Sequence, residues 1–163
     1  MKTLLYCLLF LCIFVGCTID NAEEVSESEE LVKVGDRLPS FSVDVTDGDS
    51  HYVFSSDHLT GRTMIVFFNT GCSDCQRELP VLNDYYLRHQ SEPGFQMVAI
   101  AREESAESIA DYWQANHLSI PYSPQSDRRI YNLFATMTIP RAYLTSTDGQ
   151  VVWIGIEKLM LID

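Results

Sequence analysis

Cys72 and Cys75 flank Ser73 and Asp74 in the segment Phe67-Phe68-Asn69-Thr70-Gly71-Cys72-Ser73-Asp74-Cys75-Gln76-Arg77-Glu78-Leu79-Pro80. Two thiols at this spacing can make and break a disulfide, because one thiolate attacks a foreign disulfide and the other resolves the mixed disulfide that results. The pair lies where an unbroken apolar run, Met64 to Phe68, gives way to a helical pattern running from Cys72 or Ser73 to His89, with Leu79, Leu82 and Tyr86 on one face. A helix start offers unpaired N–H groups and the positive end of the macrodipole, and both favour a thiolate on the more N-terminal Cys72. One helical turn brings Cys75 within reach of it. Read as a purely structural disulfide, the pair would close a very small loop and constrain little. A closed zinc site wants four Cys or His ligands. Here His51, His58, His89 and His117 are scattered singly and read as surface residues. No metal or other cofactor is expected.

The elements that must position this pair follow from periodicity. Ser40 to Val45 alternates as a strand does, Asp47-Gly48-Asp49 is a turn, and His51 to Phe54 returns as the second arm of a hairpin. Met64 to Phe68 has the composition of a strand buried on both faces, and so does Phe95 to Ala101. Ser105 can cap a helix carrying Ile109, Tyr112 and Trp113 inward, and Ser126-Asp127 can start a short helix with Ile130, Leu133 and Phe134 inward. Arg141 to Thr145 and Gln150 to Ile156 flank Asp148-Gly149, a second hairpin signal. This order predicts one α/β domain from residue 34 to 163: a mixed sheet with helices on both faces and an N-terminal β-hairpin extension.

The N-terminus reads as an address. Lys2 precedes a continuous apolar run from Leu4 to Val15 that includes Cys7 and Cys12. That run has the length of a signal-peptide core and is too short to span a bilayer. It ends in Phe14-Val15-Gly16-Cys17, which resembles a bacterial lipobox with Cys17 as the lipid acceptor, although Phe14 stands where an aliphatic residue is usual. Residues 1–16 are then a lipoprotein signal peptide. Residues 17–33 are an acidic segment with Asp20, Glu23, Glu24, Glu27, Glu29 and Glu30 against Lys33, a composition expected to act as an extended tether. The whole chain has 163 residues, with 23 Asp and Glu against 11 Lys and Arg and a formal charge of −12. A charge of that sign without a basic stripe disfavours nucleic acid as a partner.

The stretch Met64–Pro80 resembles the thioredoxin-like superfamily, and within it the extracytoplasmic TlpA/ResA-type thiol-disulfide oxidoreductases: a buried strand, CxxC, a Glu three residues past the second Cys (Glu78) and then Pro80. Gly35-Asp36-Arg37-Leu38-Pro39-Ser40-Phe41 resembles the family's entry motif. Thr138-Ile139-Pro140-Arg141-Ala142-Tyr143-Leu144 resembles its cis-proline strand. The resemblance implies that Cys72 attacks and Cys75 resolves. It implies that Pro140 is cis and faces the disulfide, that the Ile139 backbone pairs with a substrate strand, and that Glu78 carries protons near the thiols. The implied partners are disulfide-containing proteins of the cell envelope and a membrane thiol electron donor. The implied location is the bacterial cell envelope, on the periplasmic or extracellular face, held to a membrane by the lipid anchor.

Three departures stand out. Gly71 replaces the aromatic residue usual before the first Cys. Val66 replaces the buried carboxylate that thioredoxin carries on this strand. The chain also ends at Asp163 soon after its last strand, so the final helix that the resemblance implies is expected to be short or absent. Two other readings share the residues. A peroxiredoxin-like peroxidase would need Pro and Thr where Ile65 and Asn69 stand. A non-catalytic envelope module could hold Cu(I) on the two thiolates. For the redox direction, Asp74 sets a like charge beside a Cys72 thiolate. At ~7 Å in a nearly aqueous dielectric the repulsion is roughly 0.6 kcal/mol, a shift of only about 10–15 mV toward reducing. The reductase assignment therefore leans on the resemblance.

Overall fold

The computed structural model describes residues 30–161. The expected signal peptide, Cys17 and the acidic segment up to Glu29 lie outside them. The elements run β1 (Ser42–Asp47), β2 (Ser50–Ser55), β3 (Thr63–Phe68), α1 (Ser73–His89), β4 (Gln96–Ala101), α2 (Ala106–Ala115), β5 (Tyr122–Ser123), a 3-10 turn (Tyr131–Leu133), β6 (Arg141–Thr145) and β7 (Val151–Ile156). The strands form one mixed sheet in the order β2-β1-β5-β4-β3-β6-β7. This is a thioredoxin-like fold with an N-terminal hairpin, and among the described residues no helix follows β7.

Every residue of β3 is buried, as its unbroken apolar run predicts. It pairs in parallel with β4 and antiparallel with β6. The crossovers β3-α1-β4 and β4-α2-β5 step across the sheet in the same direction, and right-handed connection puts both helices on the same face. There Phe68 meets Trp113 of α2 at 4.9 Å between ring centroids, and the Ser119 N–H donates to Asn83 Oδ1 of α1 at 2.7 Å. Phe67 points the other way, into Tyr131 and Phe134 at 5.3 and 4.8 Å, so the 3-10 turn covers the opposite face.

Four details differ from the sequence reading. Strand β5 is new: two residues, between Pro121 and Pro124, too short to show a period. It joins the hairpin to the parallel core by pairing with both β1 and β4. The helix expected after Asp127 is the 3-10 turn, with a tighter repeat that turns Tyr131 inward and leaves Leu133 39% exposed. His89 is buried at the end of α1, its ring 4.2 Å from that of Tyr85 and its Nδ1 2.6 Å from Glu92 Oε1. Contacts with the domain also begin before Val34. Glu30 bridges to Ala135, the N–H groups of Leu31 and Val32 both donate to the Phe134 carbonyl, and Val32 is buried.

The turns that enter β3 and β4 abut at Gly61 and Gly94. A Cβ on Gly61 would overlap the Gly94 carbonyl oxygen and lie 2.8 Å from its carbon, and Gly94 itself has φ +78°. The obstacle is backbone, which cannot rotate away. Gly61→Ala is expected to cost about 1–3 kcal/mol by overpacking, read as a lower urea midpoint with an unchanged denaturant slope.

Candidate active site

Strand β3 delivers the chain to a three-residue turn, and Cys72 follows as the N-cap of α1 with φ −87° and ψ 120°. Its N–H donates to the Asn69 carbonyl at 3.1 Å, and its carbonyl accepts from the Gln76 N–H at 2.9 Å. No side chain caps this helix, and Cys72 holds the N-cap position before its first-turn N–H groups. The Cys72 Sγ donates to the Ile139 carbonyl at 3.6 Å, a long contact to sulfur. Cys72 is half-buried and Cys75 is fully buried, both as free thiols. Burial pushes the Cys75 thiol well above the ordinary thiol range, the neighbouring Cys72 adds to the rise, and the Asn69 backbone and the Arg102 charge oppose it. The two sulfurs therefore differ through burial, with one accessible at the helix start and the other protonated behind it.

The turn before Cys72 has no aromatic residue and is held by polar contacts instead. Glu104, buried at the end of the β4–α2 connection, accepts from the Thr70 N–H at 2.8 Å, from the Thr70 hydroxyl, and from the Ser108 hydroxyl at 2.7 Å. The Thr70 carbonyl accepts from Gln76 Nε2 at 2.7 Å. Asn69 donates to the Arg102 carbonyl at 3.1 Å and accepts from the Gly71 N–H at 2.9 Å. Glu104 escaped the sequence reading because nothing in local spacing links it to a loop 34 residues earlier.

The Ile139–Pro140 peptide bond is cis, and both residues are buried beside Cys72. The structure thus brings Cys72, Cys75, Ile139 and Pro140 together. Glu78 is buried further along α1, and its oxygens accept from Arg77 Nε and from the Leu159 N–H, each at 3.0 Å. It ties the segment after β7 to α1 and makes no hydrogen bond to either sulfur. Asp74 is partly exposed and paired at 2.7 Å with Arg77, which also donates to the Glu157 carbonyl at 3.2 Å. That cation offsets part of the Asp74 charge, so its influence on the dithiol is smaller than an isolated carboxylate would exert. Among the described residues no group of three or more His, Cys, Asp and Glu side chains converges as metal ligands.

The burial of Cys75 has a measurable consequence. In Cys72→Ser, iodoacetamide is expected to modify Cys75 slowly at about pH 8.5, where an ordinary thiol is half ionised, and rapidly once urea unfolds the chain. Equal rates in both states would remove the asymmetry. Linkage gives the sign for stability. The folded thiol holds its proton more tightly than the unfolded one, so the stability of the reduced protein is complete below about pH 8.5 and declines as pH rises beyond it.

Comparison with known proteins agrees with this geometry. Residues 34–154 match the AhpC/TSA family. The thiol-disulfide oxidoreductase ResA of Bacillus subtilis (strain 168) is 26% identical over 145 residues, covering 89% of this chain and 78% of that protein. ResA of Bacillus thuringiensis subsp. konkukian is 25% identical over 145 residues, covering 89% and 81%. Among solved structures, StoA from Bacillus subtilis aligns with a TM-score of 0.59 at 22% identity, covering 73% of this chain and 88% of that one, which shows the shared fold. A family match that spans the entry segment, the dithiol helix, the proline loop and most of β7 leaves one assignment: this chain belongs to the AhpC/TSA family and carries it on a thioredoxin-like fold.

Proposed function

We propose that this protein is a thiol-disulfide oxidoreductase of the ResA and DsbE type that reduces disulfides of exported proteins in the cell envelope. The observation that carries the reading is the Cys72 sulfur at the start of α1, against the Ile139 carbonyl, with Cys75 buried behind it. The Cys72 thiolate attacks one sulfur of the substrate disulfide. The other sulfur leaves with the bonding electron pair and takes up a proton. Cys72 then no longer carries the charge that helps hold the Cys75 proton. Cys75 loses that proton, attacks the Cys72 sulfur and releases the second substrate thiol. Two electrons and two protons pass to the substrate, and the protein is left with a Cys72–Cys75 disulfide for a membrane thiol donor to reduce. The Ile139 backbone, next to the attacking sulfur, pairs with an extended substrate segment. Glu78, with its oxygens held by Arg77 and Leu159, serves the site through the packing of α1.

The envelope location rests on the signal-like N-terminus and Cys17, and the tether expected over residues 17–33 is shortened to 17–29 because Glu30 to Val32 contact the domain. Among the described residues no helix is long and apolar enough to cross a membrane. Labelled palmitate is expected in the wild type and absent from Cys17→Ala; equal labelling would remove the anchor.

The activity is tested by insulin-disulfide reduction with the purified protein, with peroxide consumption and Cu(I) titration run in parallel. Insulin reduction that vanishes in Cys72→Ser is expected, and a Cys75→Ser variant should accumulate mixed disulfides with envelope proteins. Rapid peroxide turnover without insulin reduction would favour a peroxidase. A glutathione titration is expected to give a potential nearer the roughly −270 mV of thioredoxin than the roughly −120 mV of a strong oxidant. Asp74→Asn should shift it by less than ~15 mV toward oxidising, because Arg77 already offsets the charge. A strongly oxidising wild type would leave a disulfide-forming oxidase as the better reading.

A further inference from the structure

Arg141 is the first residue of β6, directly after Pro140, and its side chain is 0% exposed. A guanidinium in such a place is costly unless its donors are matched. Its Nη2 donates to the Met137 carbonyl at 3.1 Å, its Nε makes a longer contact with the Thr138 carbonyl at 3.5 Å, and its Nη1 lies 3.4 Å from Glu30 Oε1. Two further side chains work on the same loop. The Tyr131 hydroxyl contacts the Met137 carbonyl and donates to the Thr138 carbonyl at 2.8 Å, and Arg128 Nη2 donates to the Thr136 carbonyl at 2.7 Å. Three successive carbonyls, 136 to 138, are thus taken by donors of the domain. Thr138 sits at φ +68°, a backbone region that non-glycine residues adopt only when their surroundings hold them there. The next carbonyl, that of Ile139, faces the Cys72 sulfur.

We propose that Arg141 is a positioning residue for thiol-disulfide exchange: from inside the domain it holds the loop 136–139 so that the Ile139 backbone meets a substrate strand beside Cys72, with Glu30 as its counter-charge. Glu30 is brought to Arg141 by the bridge to Ala135 and by the Leu31 and Val32 N–H groups on the Phe134 carbonyl. The segment that enters the domain and the loop that receives substrate are therefore tied by an ion pair. A disulfide too small to lie along the loop does not need this support, and neither does alkylation of Cys72. The inference rests on the reductase reading above.

The test uses the full chain and separates substrate alignment from general damage. For each variant, KM and kcat are measured with insulin, and the rate of Cys72 alkylation by iodoacetamide is measured alongside. Arg141→Met removes a charge-assisted contact to the loop, and the expected result is a KM for insulin raised about tenfold with Cys72 alkylation within about twofold of wild type. Glu30→Gln keeps the shape and loses the counter-charge, and should raise KM in the same direction by less. Arg141→Lys keeps the charge without the planar fork and should leave KM raised. If Arg141→Met fails to fold, the Glu30→Gln and Arg141→Lys variants decide by the same criterion. A folded variant set with unchanged KM overturns the proposal, and so does a parallel loss of alkylation and turnover, which marks general damage. A wild type that reduces no protein disulfide overturns the reductase reading and this inference with it; an active wild type with insensitive variants overturns this inference alone.

Discussion

Strand β3 pairs antiparallel with β6, with Phe67 opposite Arg141. That register means the end of one strand lies beside the start of the other. The chain leaving β3 reaches Cys72 within a short turn, and the chain entering β6 has just passed Ile139 and Pro140. Two segments far apart in sequence therefore meet at one end of the central strands. The register is stable because β3 is buried on both faces: a slip of one residue would exchange Phe67, packed on Tyr131 and Phe134, with Phe68, packed on Trp113. The meeting of thiol and carbonyl is a consequence of how two rings are buried on opposite faces.

Each wall of the site is then fixed by polar groups reaching out of the domain. On the α1 side, the Glu104 carboxylate and the Gln76 and Asn69 amides take the backbone groups of the turn before Cys72. On the β6 side, Arg128, Tyr131 and Arg141 take the carbonyls before Ile139. Each such hydrogen bond contributes on the order of 0.5–1.5 kcal/mol, so several together favour one loop shape over others. The fixed loops leave the Cys72 sulfur and the Ile139 backbone facing each other beyond the ends of β3 and β6.

The chemistry of the pair is governed more by burial than by surface charge. The Asp74 carboxylate is partly exposed, solvated and paired with Arg77, and its effect on a neighbouring sulfur is a fraction of a kcal/mol. Removing Cys75 from water disfavours its charged form far more strongly. In the proposed exchange the two sulfurs divide the work along that difference, with Cys75, the thiol the core keeps neutral, as the one that waits.

The amino-acid sequence by itself determined the parts that depend on local pattern. The apolar run at Met64 to Phe68, the helical spacing after Cys72, the Asp-Gly turns and the Ser105 cap were legible because side-chain periodicity and turn chemistry act over a few residues. The Cys72–Cys75 pair and the Ile139–Pro140 motif were legible as spacing, and family resemblance joined them. Tertiary structure alone decided what local pattern cannot encode. Strand β5 exists only because β1 and β4 lie on either side of it. His89 is buried because Tyr85 and Glu92 meet it at the helix end. Glu78 accepts from the Leu159 N–H after β7, although its spacing from the cysteines suggested the thiols. Glu104, Tyr131 and Arg141 read as ordinary polar residues until folding brings them to loops whose backbone groups need partners. A hydrogen bond is specified by where two groups end up, and for these residues the partner is set by the path of the whole chain.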